Sequence, residues 1–66
     1  MNKFGETVKK ARKERNMTIK ELADRVGMSA NEIASIEKGK RVPRVTTISR
    51  IANALEFSYE QLLDIL

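Results

Sequence analysis

Two closely spaced helix-start signals within residues 18–39 constrain the fold more than any other feature of this chain. In the first signal, Thr18 precedes Glu21 by three residues. In the second, Ser29 precedes Glu32 by the same spacing. In a capping box, the hydroxyl and the glutamate each accept a hydrogen bond from the other residue's backbone N–H, and this pair of bonds begins an α-helix. The segment therefore predicts two short helices in quick succession.

The stretch between the two signals predicts a sharp turn. Gly27 follows the first of these helices and tolerates the left-handed backbone with which helices commonly end. That helix has apolar residues at helical spacing, at Ile19, Leu22, Ala23 and Val26. A helix, a glycine-containing turn and a second helix form the helix-turn-helix motif, whose second helix commonly enters the major groove of DNA. We place this motif at about residues 18–39.

Apolar periodicity and further caps predict three additional helices and no strand. They are a basic first helix from about Asn2 to Arg15, a fourth from about Val45 to Leu55, and a fifth over about residues 58–66. The fourth carries an apolar stripe at Val45, Ile48, Ile51, Ala52 and Leu55. The second helix of the motif, third in the chain, runs from about Ala30 to Lys38 and stops at Gly39, and Pro43 prevents the following loop from continuing it. We expect one compact, all-α, five-helix domain over residues 1–66.

Cysteine and histidine are both absent, and their absence excludes several classes of site. Disulfides, thiolate or imidazole metal sites, the commonest general base and the commonest thiol nucleophile each need one of them. A chain of 66 residues also has little room for an enzyme cleft. We therefore expect a binding protein with no catalytic residue, no metal and no cofactor.

The charge distribution predicts an anionic partner on one side of the molecule. The chain carries a net charge of +4, and all 13 basic residues lie within residues 1–50. The charged side chains of residues 51–66 are all acidic, so this end is expected to face away from a polyanion. No apolar run approaches the roughly 20 residues needed to cross a bilayer, and the N-terminus lacks the apolar core of a signal peptide. We expect a cytoplasmic protein without membrane contact.

The outward side of the predicted third helix carries the small polar residues that base recognition requires. A helix can approach base edges in a major groove about 12 Å wide only where its side chains are small. Asn31 can pair with adenine through two hydrogen bonds, Ser35 can donate or accept, and Ala30 can contact a thymine methyl group. The alternative is an ordinary solvated polar face. We predict that these three side chains read bases.

Two glutamates of the same helix have different expected roles. Glu32 either accepts from a cytosine amino group or completes the capping box with Ser29, and we favour the cap. Glu37 falls beside the core-facing residues, where an unpaired carboxylate is costly. Its expected partner is Arg12 or Arg15 of the first helix.

Phosphate binding is predicted for cations at the ends of the motif. Lys20 lies near a helix N-terminus, where backbone N–H groups favour an anion. The others bracket the loop after the reading helix, at Lys38, Lys40, Arg41 and Arg44. For Arg44, which follows Pro43, a neighbouring minor groove is the alternative.

Several stretches together resemble the XRE family, the lambdoid phage repressor and Cro type of helix-turn-helix domain. They are Glu21-Leu22-Ala23, Gly27, the run from Ile36 to Lys40, Pro43, and the run from Ile51 to Leu55. The resemblance implies a lambda-repressor-like fold and a transcription regulator, usually a repressor, that binds double-stranded DNA as a homodimer on roughly palindromic operators. It implies that the DNA-reading positions are Ser29, Ala30, Asn31 and Ser35. It also matches Arg12 and Glu37 with a recurring buried ion pair.

Three positions depart from the pattern of that family. Ile19 stands where a glutamine commonly binds phosphate or positions a reading side chain, so we expect that contact to be absent. Ala30 is less informative than the Gln or Arg common there, which favours recognition of DNA shape. Arg44 replaces a serine that often caps the fourth helix, which weakens that helix start and makes a DNA role for Arg44 more attractive.

The acidic C-terminal region is the predicted dimer interface. It concentrates apolar side chains at one end of a small domain, at Phe57, Tyr59, Ile65 and Leu66. Ile65 falls off the apolar stripe of the predicted fifth helix, although a terminal isoleucine can also fold back onto its own core. The alternative from another functional class is a protein-binding module, such as an antitoxin that covers a toxin, or an adaptor that contacts another regulator.

Overall fold

The computed structural model describes residues 3–58, and this part of the chain is all-helical. Its four helices are α1 (Lys3–Glu14), α2 (Ile19–Val26), α3 (Ala30–Glu37) and α4 (Val45–Ala54). Helix α2 packs against both α3 and α4, and α1 packs against α3. The predicted fifth helix lies outside the described residues apart from Ser58, so the count that the structure supports is four helices over residues 3–58. None of these helices has the length and apolar character needed to cross a membrane.

The two capping boxes form as predicted and begin α2 and α3. At α2, Thr18 Oγ1 accepts from the backbone N–H of Glu21 at 3.0 Å, and Glu21 Oε1 accepts from that of Thr18 at 2.9 Å. At α3, Ser29 Oγ accepts from the N–H of Glu32 and Glu32 Oε1 accepts from that of Ser29, both at 3.1 Å. Because these bonds satisfy N–H groups that a helix start leaves unpaired, they fix where each helix begins.

The carboxylates of the two capping boxes, Glu21 and Glu32, are expected to make the free energy of unfolding depend on pH in the acid range. Hydrogen bonds from the Thr18 and Ser29 backbone N–H groups, and then from their hydroxyls, hold the pKa of Glu21 and of Glu32 below the ordinary value of 4.5. A group whose pKa is lowered by folding contributes stability above its unfolded pKa and loses that contribution as the pH falls through its folded pKa. Glutamine accepts the same hydrogen bonds but does not titrate, so the Glu21→Gln/Glu32→Gln variant lacks this pH-dependent contribution. The wild type should therefore be more stable than the variant at neutral pH, and it should lose this advantage as the pH falls below about 4.5. Urea unfolding of both proteins from pH 7 to pH 3 measures the difference, and a difference that does not change with pH contradicts this account.

The helix ends depend on left-handed backbone at single residues. Gly27, at φ 72°, ends α2, and its N–H donates to the carbonyl oxygen of Ala23. Asn16, at φ 54°, lies in the turn that follows the end of α1 at Glu14. Glu56, at φ 53°, was not predicted to have this conformation, because glutamate has no intrinsic preference for it. It is accommodated because the next residue, Phe57, donates its backbone N–H to Ala52 at 3.0 Å and closes the end of α4.

The core lies between the four helices, and the apolar stripes that the sequence predicted belong to it or pack against it, as the half-buried Ile19 and Ile48 and the buried Ala52 do, with one exception. Its members are Phe4, Val8, Ala11, Met17, Leu22, Ala23, Val26, Ile33, Ile36, Ile51 and Leu55. The exception is Val45, which was expected on the buried stripe of the fourth helix but is 79% exposed. The stripe reaches the core only from Ile48 onwards, since the first turn of α4 lies outside it. Periodicity gives the direction of a side chain, but it does not show where the neighbouring helices end.

Helix α1 approaches the end of α3 closely at Gly5. A Cβ atom built at this position would lie 2.4 Å from the carbonyl oxygen of Ile36 and 2.9 Å from that of Glu37. No side chain other than hydrogen fits there while the two backbones keep this separation. Gly5 therefore sets the distance between α1 and the C-terminal turn of α3.

Candidate nucleic-acid interface

Helix α3 is held by two isoleucines, and this attachment determines which of its faces reaches solvent. Ile33 and Ile36 are fully buried in the core. The opposite side, which we call the outward face, consists of Ala30, Asn31, Ala34 and Ser35. The first two of these residues are exposed and the last two are half-buried. The face is small and polar, as its sequence predicted.

The residues predicted to read bases lie together at the start of α3 and one turn further on. Ala30 and Asn31 form its exposed first turn, and Ser35 lies one turn later. No described residue makes a hydrogen bond to the side chain of Asn31 or Ser35, so their polar atoms are available to a ligand. Ser29 differs from them because its Oγ already accepts from the Glu32 N–H, which leaves its hydroxyl proton for donation.

Exposed cations flank this face. The segment from residue 38 to residue 44, which we call the cationic loop, carries Lys38, Lys40, Arg41 and Arg44. Lys20 is exposed in the first turn of α2. Arg44 is the N-cap residue of α4 and makes no side-chain cap, so its guanidinium remains in solvent. The loop also exposes Val42, at 86%.

A buried ion pair fixes the end of α3 that precedes the cationic loop. Arg12 donates from Nε and Nη2 to the two carboxylate oxygens of Glu37, at 2.8 and 3.1 Å. Its Nη1 donates to the carbonyl oxygen of Met17 at 2.8 Å. The exposed fractions of the two side chains are 9% and 5%. Arg15, the other candidate partner, instead donates to the carbonyl oxygen of Ala11. Arg12 therefore joins α1, the chain before α2 and the end of α3.

Glu32 makes two contacts, of which the sequence predicted only one. Its Oε1 serves the capping box, and its Oε2 lies 3.5 Å from Arg41 Nη2. Both residues line an open cleft of about 290 Å³ between α3, the cationic loop and α4, together with Arg44 and Arg50. Sequence reasoning had no signal for this ion pair, because the intervening loop has no regular geometry that would fix the separation.

Two further features concern the sequence predictions. The close approach at Gly5 was missed, although an isolated glycine inside a helical pattern is a recognised sign of such contacts. Of the predicted dimer residues, only Phe57 is described, and it is half-buried against the core. Tyr59, Ile65 and Leu66 lie outside the described residues.

Comparison with known proteins identifies the family. The helix-turn-helix family model matches residues 8–62. The HTH-type transcriptional repressor RghR of Bacillus subtilis is 45% identical over 64 residues, which cover 96% of this chain and 47% of the repressor. The uncharacterized HTH-type transcriptional regulator RghRB of the same organism is 38% identical over 64 residues, covering 96% of this chain and 46% of the regulator. The ImmF control region 10 kDa protein of Bacillus phage phi105 is 40% identical over 50 residues, covering 76% of this chain and 56% of the phage protein.

The extent of these matches has two consequences. The chain spans about half the length of the three relatives, so the similarity concerns their helix-turn-helix part. The family match nevertheless covers most of the chain and includes both capped helices of the motif. The chain therefore belongs to the helix-turn-helix family, and within it to the XRE type.

Proposed function

We propose that this chain is a sequence-specific, DNA-binding transcription regulator that places α3 in the major groove. The observation that carries the proposal is the outward face of α3, where the side chains of Asn31 and Ser35 make no hydrogen bond to a described residue and, with Ala30, lie beside exposed cations. A small polar face can approach base edges, and the asparagine amide matches the N7 and N6 atoms of adenine. Ser29 can donate its hydroxyl proton in a hydrogen bond to DNA, because its Oγ serves the capping box only as an acceptor. The names of the relatives, which include a transcriptional repressor, support this assignment.

Phosphate contacts come from the cationic loop and from the start of α2. Lys38, Lys40, Arg41 and Arg44 follow the reading helix directly, where they would meet the backbone that borders the groove. Lys20 lies beside the N-terminal N–H groups of α2, which favour an anion. The buried pair of Arg12 and Glu37 has a structural role in this scheme, since it holds the end of α3 to which the loop is attached.

We further propose that the protein acts as a homodimer on a palindromic operator, and as a repressor. A single module of this size buries only about 600–1,000 Å² on DNA, and two copies spaced by about 34 Å supply both affinity and operator symmetry. The acidic C-terminal region, with Phe57, Tyr59, Ile65 and Leu66, is the proposed dimer surface because it lies outside the cationic part of the sequence. On this proposal the protein acts on DNA in the cytoplasm, and it acts by binding and not by catalysis.

Selection of binding sites from a random pool of duplex DNA tests this function directly. The expected result is a palindrome whose half-sites are centred about one helical turn apart. Enrichment of a single half-site would support base recognition but overturn the dimer. The absence of any enriched sequence would contradict a sequence-specific regulator and favour the alternative of an antitoxin or adaptor, for which co-purification of a stoichiometric partner is the check.

Substitution on the outward face should weaken binding to the selected sequence and leave binding to other sequences nearly unchanged. Asn31→Ala is expected to cost about 1–3 kcal/mol on the selected duplex and much less when the base pair it reads is replaced, because a good bidentate contact has this value. Lys40→Gln is the matched control: it should weaken binding to all duplexes similarly and flatten the plot of log affinity against log salt by about 0.9. Titration of both variants against matched and mismatched duplexes measures this. If Asn31→Ala weakens binding to every sequence equally, Asn31 is not a reading residue.

A further inference from the structure

We infer that Glu32 competes with DNA phosphate for Arg41 and thereby limits binding to DNA of any sequence. The inference rests on the proposed function, in which Arg41 is one of the phosphate-binding cations that follow the reading helix. The contact that carries it is the 3.5 Å separation between Glu32 Oε2 and Arg41 Nη2.

The capping box holds the Glu32 carboxylate in place independently of Arg41. Its Oε1 accepts from the Ser29 backbone N–H at 3.1 Å, so the carboxylate cannot turn away without uncapping α3. Arg41 has no such restraint, since its side chain is 55% exposed and extends from an irregular loop. Of the two partners, Arg41 is therefore the one that moves when a phosphate arrives.

The charge on Glu32 opposes that phosphate. An exposed ion pair of this length is weak, so phosphate can displace Glu32 from Arg41. Because the capping box keeps the Glu32 carboxylate in the same cleft, this carboxylate then lies within a few ångströms of the DNA phosphate bound by Arg41. Phosphate contacts supply nearly all of the affinity for non-specific DNA, so this repulsion reduces that affinity directly.

Glu21 provides a matched control on the same protein. It caps α2 with the same two hydrogen bonds that Glu32 makes at α3, and the cation that acts on it electrostatically is Arg25, which is not one of the proposed phosphate-binding residues. Glu21→Gln and Glu32→Gln each remove one negative charge and leave an oxygen that accepts the cap hydrogen bond. The difference between the two variants therefore measures the local effect of Glu32 on Arg41, free of the change in net charge.

The test is affinity for a mixed-sequence 20-base-pair duplex as a function of salt. We expect Glu32→Gln to bind about threefold to fivefold more tightly than Glu21→Gln at low salt, as the removal of one near repulsion predicts. Its plot of log affinity against log salt should be steeper by up to about 0.9. In an Arg41→Gln background the advantage of Glu32→Gln over Glu21→Gln should disappear. Circular dichroism and thermal melting establish that every variant is folded.

Each other outcome overturns the inference. Equal affinities of the two single variants would show that Glu32 does not act on Arg41. Weaker binding by Glu32→Gln would mean that Glu32 orients Arg41 or contacts DNA itself, and an advantage that persists without Arg41 would exclude Arg41 as the group concerned. If the folded wild type does not bind the duplex even at low salt, the proposed function fails and the inference fails with it, whereas the other three results overturn the inference alone.

Discussion

Replacement of Gly5 by alanine is expected to remove much of the free energy of unfolding of this protein. The new Cβ would lie 2.4 Å from the Ile36 carbonyl oxygen and 2.9 Å from the Glu37 carbonyl oxygen, and both atoms belong to backbone that cannot move without displacing α3. Overpacking commonly costs about 1–3 kcal/mol, and a clash between two backbones belongs at or above the upper end of that range. A chain of this length has a total stability of about 3–10 kcal/mol, so a loss of about 3 kcal/mol or more removes much of it.

The direction of the stability change in Gly5→Ala distinguishes the steric contact at this position from the effect of helix propensity. Alanine favours a helix over glycine by up to about 1 kcal/mol, so Gly5→Ala would stabilise α1 if the space beside it were empty. Gly27→Ala is the control, because it makes the same chemical change where nothing lies within 4 Å and only the positive φ opposes it. That variant should lose about 1–2 kcal/mol. Urea unfolding followed by circular dichroism compares the two, and a Gly5→Ala protein as stable as the wild type would refute the close approach.

Glu37→Gln is expected to give the second large loss, of about 3 kcal/mol, because it leaves the Arg12 guanidinium buried without a compensating charge. The amide can still accept one hydrogen bond, but Arg12 currently donates two to the carboxylate of Glu37. For a domain of this size each kcal/mol lowers the melting temperature by about 4–8 °C, so a decrease of more than about 10 °C is expected. Thermal unfolding at neutral pH measures it.

The same substitution at Glu32 is the control for this experiment. Glu32 is more than a third exposed, and the amide of glutamine retains its cap hydrogen bond, so Glu32→Gln should cost much less stability than Glu37→Gln. Arg12→Lys should behave like Glu37→Gln, because one ammonium group cannot reach both carboxylate oxygens and the Met17 carbonyl oxygen as the guanidinium does. Similar small losses in all three variants would mean that the buried pair contributes little to stability.

The start of each helix in the motif could be predicted because its cause is local. Thr18 with Glu21 and Ser29 with Glu32 lie within one helical turn of each other, so their hydrogen bonds depend only on a few backbone angles. The outward face of α3 was predictable for a similar reason, because the buried positions Ile33 and Ile36 set the opposite side through helical periodicity. The candidate reading residues Asn31 and Ser35 follow from the same pattern.

Contacts between distant segments were not predictable in this way. Arg12 lies on α1 and Arg15 directly follows it, and both were reasonable partners for Glu37 until the packing of α1 on α3 placed Arg12 there. The exposure of Val45 and the left-handed conformation of Glu56 also depend on where neighbouring elements end.

Local chemistry in the chain therefore specifies its helices, its motif and its cationic character, since caps, periodicity and charge act over a few residues. Packing alone selects Arg12 over Arg15, requires glycine at position 5 and brings Glu32 to Arg41. Each of these features depends on the distance between segments that are separated along the chain, and that distance exists only once α1, α3 and the cationic loop have assembled around one core.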